Sequence, residues 1–221
     1  MSISVAEENY IKTIYHIQMQ EELVSTNAVA SALQTSAASV TDMLKKLKQK
    51  KLLVYEKYKG FKLNHEGKKT ALGIIRKHRL WETFLVNTLQ FKWDEVHEVA
   101  EQLEHIQSAQ LIQHLDQFLG NPQFDPHGDP IPDAAGKIPQ REQINLTQLP
   151  INGIGKISAV GSQSSDMLAL LRHKQIELGA TIKVEQIFAF DESIDVTINE
   201  ATLVNISAKL AKHLYVKTIA L

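Results

Sequence analysis

The chain has 221 residues, 43% of them hydrophobic and 22% charged, with a net charge of −1 and no cysteine. That length suits one large or two small domains, and the composition is that of a globular protein rather than a disordered chain, a collagen or a disulfide scaffold. Without cysteine there is no disulfide, thiolate zinc site, iron–sulfur cluster or cysteine nucleophile.

Residues 1–5 lack the basic and apolar regions of a signal peptide. No apolar run approaches the roughly 18 residues that span a bilayer, so a cytoplasmic protein with no membrane partner is expected. Residues 7–20 read as a helix, with Ile11, Ile14 and Tyr15 at helical spacing and Glu7 and Glu8 at the positive end of its dipole. Ser25 or Thr26 caps a short helix through Leu33, and Ser36 caps another over 37–49 with Val40, Leu44 and Leu47 inward. Two short helices across so tight a gap fit a helix-turn-helix. Residues 52–63 alternate around Lys59-Gly60 and read as a hairpin. A helix-turn-helix followed by a basic hairpin makes a winged helix.

Residues 66–89 form a long helix with Leu72, Ile75, Leu80, Phe84 and Leu85 on its apolar face. Helices are also expected over 94–106, capped by Asp94, and over 109–119, ended by Gly120-Asn121-Pro122. Five of the six prolines fall within 121–141, which makes that stretch a linker or extended crossing segment and the best boundary. Beyond it, 154–160, 181–184, 187–190, 195–198 and 203–206 look like strands, with one helical turn over 166–171, and suggest a small barrel. The expected class is mainly α with a small β domain. The segments are a winged helix (1–70), a helical segment (71–141) and a barrel (142–221).

Charge follows these segments. Residues 1–70 hold 11 Lys and 7 acids, net +4, while 71–141 hold 6 basic and 10 acidic residues, net −4. Within 45–70, 10 Lys oppose only Glu56 and Glu66, net +8. Such asymmetry points to a polyanionic partner. Lys45 and Lys46 on the second helix, with Lys57 and Lys59 on the hairpin, suit phosphate. Ser36, Ser39, Thr41 and Asp42 lie at the start of the same helix, where base edges are read. A lysine run taken alone is more often a solvated surface; its coincidence with the winged-helix pattern favours double-stranded DNA.

A second group lies further on. His97, Glu101, Glu104 and His105 fall at i, i+4, i+7 and i+8, and His78 and Glu82 at i, i+4 on the preceding helix. Imidazoles and carboxylates are ligands for divalent first-row metals. A single Glu–His pair at this spacing is usually a solvated face; six groups on adjacent helices are less easily dismissed. The repeated Glu-x-x-His of bundle di-iron enzymes is missing, as are a P-loop and a dinucleotide fingerprint, so no enzyme is expected. Two rival readings are a winged-helix regulator sensing an organic ligand and a carboxylate/His metalloenzyme.

Residues 7–15 (EENYIKTIY), 36–41 (SAASVT), Arg76-Lys77-His78-Arg79-Leu80-x-Glu82, His97-Glu98-x-Ala100-Glu101-x-Leu103-Glu104-His105 and 126–132 (PHGDPIP) together carry a resemblance. The whole chain resembles the diphtheria-toxin-repressor family of metal-dependent transcriptional regulators, especially its manganese-responsive branch with a C-terminal SH3-like (FeoA-like) domain. The resemblance implies a homodimeric, metal-activated repressor of metal-homeostasis genes, bound to a partly palindromic operator. It implies two metal sites: one from Glu101, Glu104 and His105 with Asn9 of the first helix, the other from His78, Glu82 and His97 with Asp166 or Gln163. Iron-responsive relatives carry cysteine where this chain has Glu101, and a carboxylate there is the harder ligand. Mn(II) is therefore the expected metal, with Fe(II) the alternative and Zn(II) expected to bind in vitro as well. Manganese-responsive relatives often carry Asp where this chain has Asn9, whose neutral amide is the weaker donor.

Overall fold

The computed structural model describes residues 3–56, 60–161 and 164–219. Lys57, Lys59 and Gln163 lie outside the described residues. By contact density the chain divides into two compact units. The first comprises Met1–His78, Glu101–His114 and Pro132–Ile138; the second comprises Arg79–Ala100, Leu115–Ile131 and Pro139–Leu221.

In the first unit, Ser4 opens helix α1 (Val5–Gln18) with a reciprocal cap: its hydroxyl accepts from Glu7 N, and the Glu7 carboxylate accepts from Ser4 N. Ser25 caps α2 (Thr26–Ala32) and Ser36 caps α3 (Ala37–Gln49), as the sequence indicates. Gln34, between them, takes φ 49°, which turns the chain sharply enough to cross the two helices. Strands β1 (Leu53–Glu56) and β2 (Gly60–Leu63) pair antiparallel, with Leu53 opposite Leu63. Val24 adds a third rung by exchanging backbone hydrogen bonds with Phe61. A Cβ on Gly60 would meet Val24 O at 2.6 Å, so only glycine lets the wing close this tightly. The core joins Ile11, Ile14, Val40, Leu44, Leu47, Phe61 and Leu63 with Ala71 and Ile74.

Helix α4 (His65–Asn87) runs from the first unit into the second. Helix α5 (His97–Leu103) begins three residues later than the sequence suggests. Asp94 does not cap it; its carboxylate instead pairs with Arg172. Glu104 and His105 lie in the turn beyond Leu103 rather than on the helix itself. Helix α6 (Ala109–Phe118) is closed by two positive-φ residues, Gly120 and Asn121.

The C-terminal part of the second unit is an antiparallel six-stranded sheet in the order β3-β8-β4-β5-β6-β7. Its strands are β3 (Ile144–Asn145), β4 (Ile154–Val160), β5 (Thr181–Ile187), β6 (Ile194–Ile198), β7 (Thr202–Ile206) and β8 (Leu214–Thr218). Two expectations are corrected. The 187–190 segment is not a strand: after Ile187 the chain turns, Phe188 N bonds Ser193 O, and Phe190 stands wholly in solvent. A strand not foreseen, β8, lies between β3 and β4, with Leu214 and Val216 buried. The sheet is also not a closed barrel. Its edges are β3 and β7, and a two-residue β3 that pairs only with β8 cannot bridge them. The sheet packs one face over Leu146, Leu168, Leu171 and Ile176, supported by α7 (Ser165–His173) and the short α8 (Ala208–Ala211).

Candidate functional site

Three places carry the chemistry. On α3, Val40, Leu44 and Leu47 are buried, which leaves Ser36, Ser39, Thr41, Asp42, Lys45 and Lys46 exposed on the other side. Some of these side chains already have local work. Ser36 Oγ accepts from Ser39 N at 3.1 Å, Thr41 Oγ1 donates to Ala37 O, and Lys45 pairs with Asp42 at 2.9 Å. Two other lysines of the basic stretch are committed inside the fold: Lys50 to Glu7 at 2.7 Å, and Lys62 to Glu56 at 2.9 Å. Lys48 lies over the Tyr55 ring, 5.1 Å from its centroid. Lys45, Lys46 and Lys48 are thus exposed cations on α3, with Lys45 paired to Asp42 and Lys48 over the Tyr55 ring.

The second place is in the first unit, where α1 faces the residues after α5. Glu8 Oε2 meets His105 Nδ1 at 2.6 Å, and Glu8 Oε1 accepts from Gln107 Nε2 at 2.8 Å. Lys77 Nζ stands 3.7 Å from Glu8 Oε1. Glu104, fully buried, meets His78 Nδ1 at 2.7 Å. The Lys12 ammonium reaches Glu101 Oε1 at 2.6 Å and both oxygens of Glu104, at 2.7 and 2.9 Å. Burial pushes the Glu104 carboxyl up, but the His78 hydrogen bond and the Lys12 charge outweigh it and hold the group below its ordinary value. On α1, Asn9 Oδ1 is buried without a hydrogen-bond partner. The structure therefore brings Glu101, Glu104 and His105 together as the sequence suggests and adds His78 to them. In this arrangement the Lys12 ammonium is the cation that bridges the two carboxylates.

The third place is in the second unit. Glu82, Asp125 and His127 each offer one ligand atom, the three lying within 4.8 Å of one another, and all three residues are buried. The loop holding two of them is built by its own sequence. Asp125 Oδ1 accepts from the backbone N–H of His127 and of Asp129, folding the turn around Pro126. Gly128 takes φ +84°, and a Cβ there would lie 2.1 Å from Ser158 O, so the turn presses against β4. His127 O then accepts from Val160 N. Arg79 steadies the loop from α4, its guanidinium 3.3 Å from Asp129 Oδ2 and 3.5 Å from Asp125 Oδ2. His127 Nε2 lies 2.6 Å from Trp93 O, a bond in which the ring donates, so Nδ1 is the atom turned toward Glu82 Oε2, at 3.7 Å.

Asp125 Oδ2 and His127 Nδ1 are buried without hydrogen-bond partners. Such orphaned atoms are costly unless something else binds them, and two carboxylates with an imidazole fixed by a backbone carbonyl suit a divalent ion. Burial first, then the charges of Asp129 and Glu82, push the Asp125 carboxyl up to about 7. Burial pulls His127 down, but the Glu82 carboxylate outweighs it and raises the imidazole. His97 Nδ1 stands 3.5 Å from Glu82 Oε1 with its side chain 44% exposed, at the rim of this group. Asp166 is exposed in the first turn of α7 and joins no such group among the described residues. Asp125 and His127 are candidate ligands that the sequence reading did not single out. Their signal was a carboxylate and an imidazole two residues apart, beside a glycine, in a proline-rich turn.

Comparison with known proteins accounts for nearly all of the chain. Residues 3–61 match the iron-dependent repressor N-terminal DNA-binding domain, 64–133 the iron-dependent repressor metal-binding and dimerisation domain, and 144–218 the FeoA domain. The chain belongs to the iron-dependent repressor family. That family is one of transcriptional repressors, not enzymes. A solved manganese-dependent transcriptional repressor in complex with manganese is 33% identical, with a TM-score of 0.84, over 96% of this chain and 100% of that one. ScaR with bound Cd2+ is 30% identical with a TM-score of 0.81, over 96% of this chain and 99% of that one. The iron-dependent repressor IdeR of Mycobacterium bovis is 30% identical over 146 residues, 64% of this chain. The match spans 64% of that relative's own length. No helix among the described residues is long and apolar enough to cross a membrane.

Proposed function

We propose that this protein is a metal-dependent transcriptional repressor that binds DNA as a homodimer through α3 and the wing, in the cytoplasm, and controls genes of metal-ion homeostasis. The observation that carries the metal part is the buried Glu82, Asp125 and His127 group with orphaned atoms on Asp125 and His127. Two carboxylates and one imidazole are harder ligands than a thiolate set, so Mn(II) is the metal we infer, with Fe(II) the alternative. The manganese named with a structural relative supports the same reading. A bound ion would supply positive charge to a site that is otherwise a buried excess of carboxylates; Glu82, Asp125 and the Nδ1 of His127 would hold it. For this Asp125 and His127 must give up their protons, and Trp93 O keeps the imidazole oriented.

The DNA part rests on the exposed side of α3. Lys45 and Lys46 would neutralise phosphates, while Ser39, Thr41 and Asp42 stand where base edges are reached. Lys57 and Lys59 of the wing belong to the same proposal. A two-fold dimer implies a partly palindromic operator. We further propose that 1–70, 71–141 and 142–221 act as winged helix, helical segment and SH3-like domain. The deciding experiment selects from a random duplex pool with Mn(II) and with chelator. A palindrome enriched more strongly with Mn(II) is the expected outcome. Equal enrichment in both overturns metal control, and none in either overturns DNA binding.

A further inference from the structure

The second unit holds a cavity of about 710 Å³ between the 124–128 turn, residues 140–142 and the strands of the sheet. That volume is within the range of small-molecule pockets. Its charged lining is mostly cationic. Lys156 of β4 and Lys217 of β8 stand directly opposite each other in the register of the two strands, and both line the cavity. Like charges directly opposite on neighbouring strands destabilise a sheet. Neither lysine forms an ion pair among the described residues, so nothing in the chain offsets the repulsion. Arg141 is the third cation. Its guanidinium lies over the Phe124 ring, 3.5 Å from the centroid, and donates to Ser158 O. These two contacts fix the group and leave most of its five N–H donors unspent. Burial pulls Arg141 down, against the charge of Asp125. Of the two acids on the lining, Glu142 is exposed, and Asp125 is drawn back toward Arg79 and the backbone N–H groups of its own turn.

We propose that this cavity binds a small polyanion, a molecule with two or more negative charges close together, as in a phosphate ester or a polycarboxylate. Such an occupant accounts for the lysine pair. Placed between the two ammonium groups, it turns a cross-strand repulsion into two charge-assisted contacts. Arg141 adds a planar fork that matches phosphate or carboxylate oxygens. Its guanidinium is oriented before any ligand arrives, so little side-chain freedom is lost on binding. The cations come from β4, β8 and the chain just before β3, so the site is built without any of Glu82, His97 or His127. It abuts the turn that carries His127, because Phe124, Asp125 and Gly128 form one wall of the cavity. The proposal stands independently of the repressor reading.

The test titrates the full chain with pyrophosphate and with citrate by calorimetry. Metal is first removed with a chelating resin, so that no soluble chelator competes as an anion. The salt is held at about 0.15 M, where distant exposed charges are screened. Wild type is expected to bind one equivalent of at least one of the two anions, and the tighter binder assigns the site to phosphates or to carboxylates. Lys156→Gln/Lys217→Gln is expected to weaken that binding at least about tenfold, through loss of a charge-assisted contact at each ammonium. Lys209→Gln, an exposed lysine of α8, should leave it unchanged. Saturable binding of neither anion overturns the proposal, as does equal affinity in wild type and the double variant. Should the double variant fail to fold, Lys217→Glu decides. It gives the two strands a complementary pair in place of a repelling one, so the rise in melting temperature that the anion produces in wild type should disappear. A rise equal to that of wild type overturns the proposal.

Discussion

Asp125 is a carboxyl held near its own titration point at neutral pH. Its ordinary value of 3.8 is raised to about 7 by burial and by the neighbouring charges of Asp129 and Glu82. The protonated carboxyl cannot ligate a metal, so affinity should rise as the pH climbs through about 7, with protons released on binding. Titration calorimetry with Mn(II) in buffers of different ionisation enthalpy would show both effects. A pH-independent affinity would remove Asp125 from the site. Glu7 illustrates the opposite sign. Burial pushes it up, but the Lys50 hydrogen bond and those from Ser4 prevail, leaving it below its ordinary 4.5. A lowered carboxyl stabilises the fold above its unfolded value and loses that contribution as pH falls through the folded one. Glu7→Gln should therefore cost about 1 kcal/mol at neutral pH, with the gap closing in acid. Urea unfolding at two pH values checks it, and a constant gap would contradict the linkage.

At the scale of elements, a turn and a cap set the geometry. Gly128 holds φ +84° with Ser158 O where a Cβ would stand, so Gly128→Ala must move the loop that presents His127. We expect a loss of at least about 1 kcal/mol from the backbone conformation alone, together with weakened Mn(II) binding. Unchanged metal affinity would mean that the loop does not set the ligand geometry. Helix α3 owes its start to Ser36, whose hydroxyl accepts from Ser39 N. Ser36→Ala should cost about 1 kcal/mol of stability. The exposed side of the same helix is tested differently: Lys45→Ala and Lys46→Ala should each flatten the salt dependence of DNA binding by about one unit of slope. An unchanged slope would place those lysines off the interface.

At the scale of the molecule, the proposed dimer is the feature to test. Helix α6 leaves Leu111 41% and Phe118 68% exposed, seven residues apart and so on one side of the helix. Phe118 also contacts Phe84 of α4, with ring centroids 6.1 Å apart. An aromatic surface this open, within the matched dimerisation domain, is where a partner subunit would be expected to pack. Phe118→Glu should move the protein from dimer to monomer in sedimentation velocity and lower operator affinity with it. A dimer that survives the substitution would put the interface elsewhere.

The amino-acid sequence by itself determined the elements whose information is local. Periodicity and the Ser25 and Ser36 caps located α1 to α4 within two residues of their observed ends, because both signals act on groups only a few residues away; the Ser4 cap, which starts α1 two residues earlier, was not foreseen. Hydrophobic alternation located most of the sheet. The tertiary structure decided whatever depends on distant neighbours. It showed that β8 pairs between β3 and β4, that 187–190 turns instead of pairing, and that Asp94 serves Arg172 rather than α5. In the metal-capable groups, spacing identified Glu101, Glu104, His105, His78, Glu82 and His97, but it could not sort them. His78 lies with Glu104, while Glu82 lies with Asp125 and His127, more than forty residues further along the chain. Nor could spacing place Lys12, 89 residues before Glu101, between the carboxylates. Which charges share a buried space depends on how the chain brings distant segments together, and helical period carries no record of that.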